Sequence, residues 1–232
     1  DSMFKHGAMV VAGQANYDNN YYAVKLTSFT GTLSLYADNT LTGGTSGVVA
    51  DVIAVVATDG TDPDTLFVKY RNSGTDNVST KFTDGETITS GQTAASTAVV
   101  SSCATGSRAT IDAGTYYING FFVNVDTQSI TLDKYTNTPS YRVGLTIVEN
   151  FITSTDDTTI LDNAQGASNA NATGAHRFKI DLTLAKLAID STADASFVEL
   201  FRLKNGKLEE RPISDIKTCL LYTSPSPRDP TS

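Results

Sequence analysis

The stretch SYRVGLTIVENFITSTDDTTILDNAQGASNANATGAHRFKI, residues 140–180, decides how the chain is read. Tyr141, Val143, Leu145 and Ile147 recur at every second position, the period of a strand with one face turned to a core. A polar segment follows, broken only by the apolar pair Ile160 and Leu161, and a second strand begins at His176. Unstructured connections longer than roughly 12–15 residues are uncommon inside compact domains and are usually functional or disordered. The composition of this one is too particular for a linker, which predicts a long structured polar loop carried between two strands.

The neighbouring segments repeat the strand signal. TYYINGFFVNV, residues 115–125, places Asn119 and Gly120 between two β-rich runs. Both residues accept the positive φ that a type I′ hairpin turn requires. A further reversal at residues 126–129 leads into ITLDKY, so residues 115–135 read as a three-stranded meander. A second Asn-Gly pair, Asn205 and Gly206, predicts a hairpin between VELFRLK and KLEER. Upstream, residues 4–13 close on Gly as a first strand, and Tyr22, Val24 and Leu26 alternate with Ala23 and Lys25. Residues 32–36 repeat that alternation weakly. VVADVIAVVA, residues 48–57, reads as a strand buried on both faces, with a short buried helix as the alternative that periodicity alone leaves open, and TLFVKY, residues 65–70, follows a DGTDPD turn. Residues 72–96 read as loops around one short strand at Phe82. Some helical character is confined to residues 182–188, which read equally as a continuation of the preceding strand.

Composition agrees. Of 232 residues, 40% are hydrophobic and only 18% charged, so Thr, Ser, Asn, Asp and Gly supply the polar surface. Asn, Asp and Gly suit turns, while Thr, Val, Tyr and Phe suit a pleated sheet. The expected fold is mainly β: antiparallel sheets, sandwich or barrel-like, with little helix. A net charge of −8 with no basic cluster argues against a nucleic-acid binder. No apolar run approaches the ~18 residues of a membrane helix, and the first residues carry no secretory leader. Cys103 and Cys219 do not make a disulfide scaffold.

Chemistry-bearing patterns are sparse. Asp156, Asp157 and Asp162 match no calcium-loop spacing, so Asx turns are their expected role. His176 lacks a nucleophile or an orienting partner in any known arrangement. With Arg177 it is expected to hydrogen-bond carbonyls of the long loop and hold it to the sheet. The glycine-rich stretches near Gly44 and Gly106 lack the Lys-Ser/Thr of a phosphate loop. No metal or cofactor is expected. Tyr17, Tyr21 and Tyr22, with Asn16, Asn19 and Asn20, offer faces that would stack on sugars or a protein partner if exposed.

YRVGL, LDNAQG, GAHRFKI and FVELFRLKNGKL together resemble a domain of unknown function, number 4815, found in large virion proteins of tailed bacteriophages, many of them marine. The resemblance implies a non-catalytic structural component of the tail, baseplate or tail-fibre region, made in the host cytoplasm and partnered by other virion proteins. It makes a homotrimer plausible. It gives Asp162, Asn163, Gly166, Gly174, His176 and Arg177 structural roles in the loop. The competing expectation is a receptor-binding module that recognises host glycans through Tyr17, Tyr21 and Tyr22; a polysaccharide depolymerase ranks third.

Three regions are expected: an N-terminal β subdomain over residues 1–96, a C-terminal β subdomain over 97–217, and a tail over 218–232. Within that tail CLLYTSPSPRD, residues 219–229, resembles a translated transposase-type sequencing adapter, which leaves Cys103 as the one expected native thiol. Asp1 does not read as a start residue, and truncation is expected at both ends.

Overall fold

Two strands of unusual length organise the molecule: β2 (Ala15–Phe29) and β7 (Thr97–Ile111), paired antiparallel from Ala15 opposite Ile111 to Phe29 opposite Ala98. The computed structural model describes residues 4–91, 96–163, 166, 168–192 and 195–210. The adapter-like tail and Cys219 lie outside the described residues. The fold is mainly β and antiparallel, as expected, with two short 3-10 turns at Leu33–Tyr36 and Thr158–Ile160.

One half of the β2–β7 pair closes a barrel. β5 (Thr65–Asn72) lies on β2, followed in the sheet by β4 (Val49–Val56), β3 (Thr40–Gly43) and β6 (Thr87–Ser90). β6 returns to β7 through Thr87 opposite Val99, so the ring has no open edge there. Val24, Leu41, Val68, Ile88 and Val100 fill its interior, which is packed as small barrels are. Phe82 plugs one end with 1% of its surface exposed.

The other half of the pair carries a second core. β10 (Gln128–Asp133) adds to β7 beyond Ser107, while β1 (Ala8–Val11), β8 (Gly114–Ile118) and β9 (Phe121–Val125) form a small sheet. Opposite stands a four-stranded sheet ordered β12 (Arg177–Ala188), β11 (Tyr141–Ile152), β13 (Phe197–Lys204) and β14 (Lys207–Glu210). Ile111, Ile118, Leu132, Leu145, Leu184 and Phe201 meet between these layers. The expected boundary at residue 96 falls just before β7, and β2 and β7 contribute side chains to both cores.

Three local expectations are corrected. Residues 33–36 are a 3-10 turn, because Tyr36 folds inward and donates its hydroxyl to the carbonyls of Thr30 (3.1 Å) and Thr97 (2.7 Å). Phe82 lies in a loop, and the nearby strand starts at Thr87. The meander breaks after β9, since β10 leaves it to pair with β7. Of the two readings of residues 182–188, continuation of the preceding strand is the one the structure has, with Leu182 and Leu184 directed into the core. Both Asn-Gly turns are as read: Asn119 and Gly120 have φ of 48° and 93°, Asn205 and Gly206 of 48° and 74°.

Candidate functional site

β11 and β12 pair without interruption from Tyr141 opposite Ala188 to Ile152 opposite Arg177. Only the first half of this hairpin is sandwiched. Val143, Leu145 and Ile147 of β11 lie beside Leu182 and Leu184 of β12 on the core-facing side of the sheet, and period two carries the same face onward to Phe151 and Phe178. β13 accompanies β11 only as far as Thr146, and the Ile147 N–H is the last to find it, on the Ser196 carbonyl at 2.8 Å. The hairpin therefore leaves the sandwich as a two-stranded ribbon.

An aromatic cluster sits on that ribbon. Phe178 lies 5.4 Å from Phe151, its cross-strand partner, and 5.6 Å from Phe121 beside the β8–β9 turn. The three are 42%, 68% and 52% exposed respectively. Asn119 at that turn donates its side-chain amide to Glu149 at 2.6 Å, which fixes the turn against the ribbon. Phe122, 60% exposed, stacks with Phe4 and Tyr117 on the opposite face of the β8–β9 hairpin. Scattered exposed apolar residues are normal, whereas contiguous aromatic patches mark interaction surfaces.

The long loop caps the ribbon and is held by its own polar groups. Asp156 accepts from the Thr153 N–H (3.0 Å) and hydroxyl (2.8 Å), and Asp157 accepts from those of Thr159 at 2.9 and 2.7 Å. These bonds hold both carboxyls below the usual range, backbone donation leading for Asp156 and the Thr159 hydroxyl for Asp157. Ile160 is buried, and Gly174 passes so close that a Cβ there would lie 2.1 Å from the Ile160 carbonyl oxygen.

Of the residues expected in the loop, Asp162 binds Ala172 and Asn171 through its backbone and accepts from the Asn169 amide at 2.6 Å. With Asn163 and Gly166 it lines an open cleft of about 710 Å³. Arg177 reaches the Asp157 carboxylate at 3.4 Å rather than a loop carbonyl, and exposed His176 bonds no loop carbonyl among the described residues. This corrects the expected role of that pair: their side chains lie on the solvent side of the strand entry. The tyrosines are not free faces either. Tyr21 is 2% exposed and stacked on Phe67 at 4.6 Å, Tyr22 packs edge-on to Tyr70, and Tyr17 lies against Phe201. Cross-strand packing uses the rings that sugar stacking would need.

Phe121, Phe151 and Phe178 were absent from the sequence reading. The signal was available: extending the Val143–Leu145–Ile147 alternation two more periods reaches Phe151, beyond the last rung that β13 makes with β11. Among the described residues no three His, Cys, Asp or Glu side chains group as a metal site, and no helix is long and apolar enough to cross a membrane.

Fold and site together define an all-β domain, barrel joined to sandwich, with an aromatic ribbon at one end. Residues 65–216, spanning β5 to β14 and the whole ribbon, match a domain of unknown function, DUF4815, and the chain belongs to that family. No curated protein and no solved structure matches it.

Proposed function

We propose that this protein is a non-catalytic structural component of a tailed-bacteriophage virion, acting in tail, baseplate or tail-fibre assembly through protein–protein contacts. The observation that carries the reading is the Phe121–Phe178–Phe151 cluster, an extension of the core face that only the Phe121 end of β9 reaches, which leaves all three rings exposed. Buried aromatic anchors dominate the energetics of protein interfaces. The loop supports the same role, because Asp156, Asp157 and Asp162 spend their carboxylates on local donors that fix its shape. The resemblance of YRVGL, LDNAQG and GAHRFKI to phage virion proteins supplies the setting.

Antibodies raised against the chain test this on purified particles of a phage that encodes it. Decoration of the tail or baseplate in electron micrographs is the expected result. Recovery of the chain only among unassembled proteins of the lysate would overturn it.

A further inference from the structure

The free edge of β12 carries more information than its aromatic face. Gln128 donates its side-chain amide to the Leu182 carbonyl at 3.0 Å and accepts the Leu184 N–H at 2.8 Å, so Leu182 and Leu184 direct their backbone groups away from β11. Ile147, opposite Leu182, turns its own N–H to the β13 side, as a non-hydrogen-bonded pair must. The register has no bulge, so Ile180 and Phe178 direct their N–H and C=O groups outward on the same edge. Gln128 supplies the strand-like partner at residues 182–184; at 178–180 the described residues supply none.

We infer that this edge pairs with β12 of a second copy, antiparallel about a twofold axis at Lys179. The sequence RFKID, residues 177–181, is self-complementary in that register. Phe178 falls opposite Ile180 of the partner subunit, and the two exchange both backbone bonds, since each directs them outward. On the inner face the aromatic clusters of the two copies join across the axis. On the outer face Arg177 falls opposite Asp181 of the partner subunit, and the axis repeats the pair; opposite charges directly across a ladder stabilise it. The two Lys179 side chains meet at the axis, where each has its own Asp181 at 3.0 Å. A twofold, isologous contact of this kind closes on itself and stops at two copies. Aromatic rings offer roughly 150–250 Å² each, so the exposed parts of Phe121, Phe151 and Phe178 provide roughly 300 Å² per copy, against about 800 Å² for a standard interface. Backbone pairing and the flanking side chains make up the rest.

This deepens the assembly reading and rests on the ribbon being a docking surface, but its test is separate from particle decoration. The full chain is run by size exclusion with light scattering over a range of concentrations, alongside Arg177→Asp, Asp181→Arg and the double exchange. These side chains are 61% and 45% exposed, so urea midpoints should remain near that of the parent protein. A mass near twice 24.6 kDa is expected. Each single exchange should weaken the dimer about tenfold or more, by opposing like charges on both sides of the axis, and the double exchange should restore it. A parent protein that stays monomeric at every concentration, forms a trimer, or forms a dimer indifferent to the single exchanges would overturn the inference. So would a double exchange that fails to recover the dimer.

Discussion

Glu86 is a buried carboxylate, 4% exposed, at the entry to β6, where it gathers two loops of the barrel. It accepts from the N–H groups of Thr45 (3.0 Å), Ser46 (2.9 Å) and Thr83 (2.6 Å) and from the Ser46 hydroxyl (2.9 Å). Burial alone would raise its pKa, and the Ser46 and Thr83 donors more than reverse that, leaving it below its ordinary value. A carboxyl whose folded pKa is depressed adds stability that is present above the unfolded value and is lost as pH falls through the folded one. Urea midpoints should therefore drop as pH falls from about 5 toward 3, and Glu86→Gln should flatten that part of the profile. Glu86→Ala leaves the buried N–H and hydroxyl of Ser46 and the part-buried N–H groups of Thr45 and Thr83 without their acceptor and should cost roughly 2–4 kcal/mol in urea titrations. Nothing in the local sequence TDGET announced this residue, because its partners lie some forty residues upstream as well as beside it.

At the level of elements, the long loop is fixed by packing and caps. Gly174→Ala would drive a Cβ into the Ile160 carbonyl. It should displace the loop and hasten its cleavage by a nonspecific protease while leaving the circular dichroism of the sheets unchanged. Asp157→Ala removes the acceptor for the N–H and hydroxyl of Thr159 and should loosen the 3-10 turn. Its effect in the same assay should be smaller than that of Gly174→Ala. His176→Ala, by contrast, should leave cleavage unchanged, since the exposed imidazole holds no loop carbonyl among the described residues. The loop's existence was legible from the two strands that flank it, and both Asn-Gly turns were legible because their residue types meet a specific dihedral demand. The role of His176 was not legible, because strand pleat alone decides which way a side chain at a loop exit points. Tyr21, Tyr22 and Tyr17 were misread for a related reason: their polar neighbours Asn16, Asn19 and Asn20 suggested a surface, whereas alternation and a bulge after Asp18 place the rings against Phe67, Tyr70 and Phe201.

For the whole molecule, the all-β class followed from period-two patterns, but ring closure did not. Closure depends on β6, four residues in a Gly, Thr and Ser-rich region, and on β2 finding β7 across most of the N-terminal half. Pairings so distant in sequence leave no local mark. Sharing β2 and β7 couples the barrel to the sandwich. Unfolding in urea should be a single transition, with tyrosine fluorescence, which samples Tyr36 in the barrel and Tyr116 in the sandwich, coinciding with circular dichroism. A fragment of residues 1–96 retains β2 without its principal partner, and it should show neither a cooperative transition nor dispersed amide resonances.

The antiparallel β2–β7 ladder has a mechanical consequence as well. Tension applied to Ala15 of β2 and to Thr97 of β7, at opposite ends of the ladder, would require the two strands to slide past one another, so the rungs from Ala15 to Phe29 bear the load together rather than parting in succession. The pair acts as a tie rod anchored in a packed core at either end, stiff in shear and weak only to peeling.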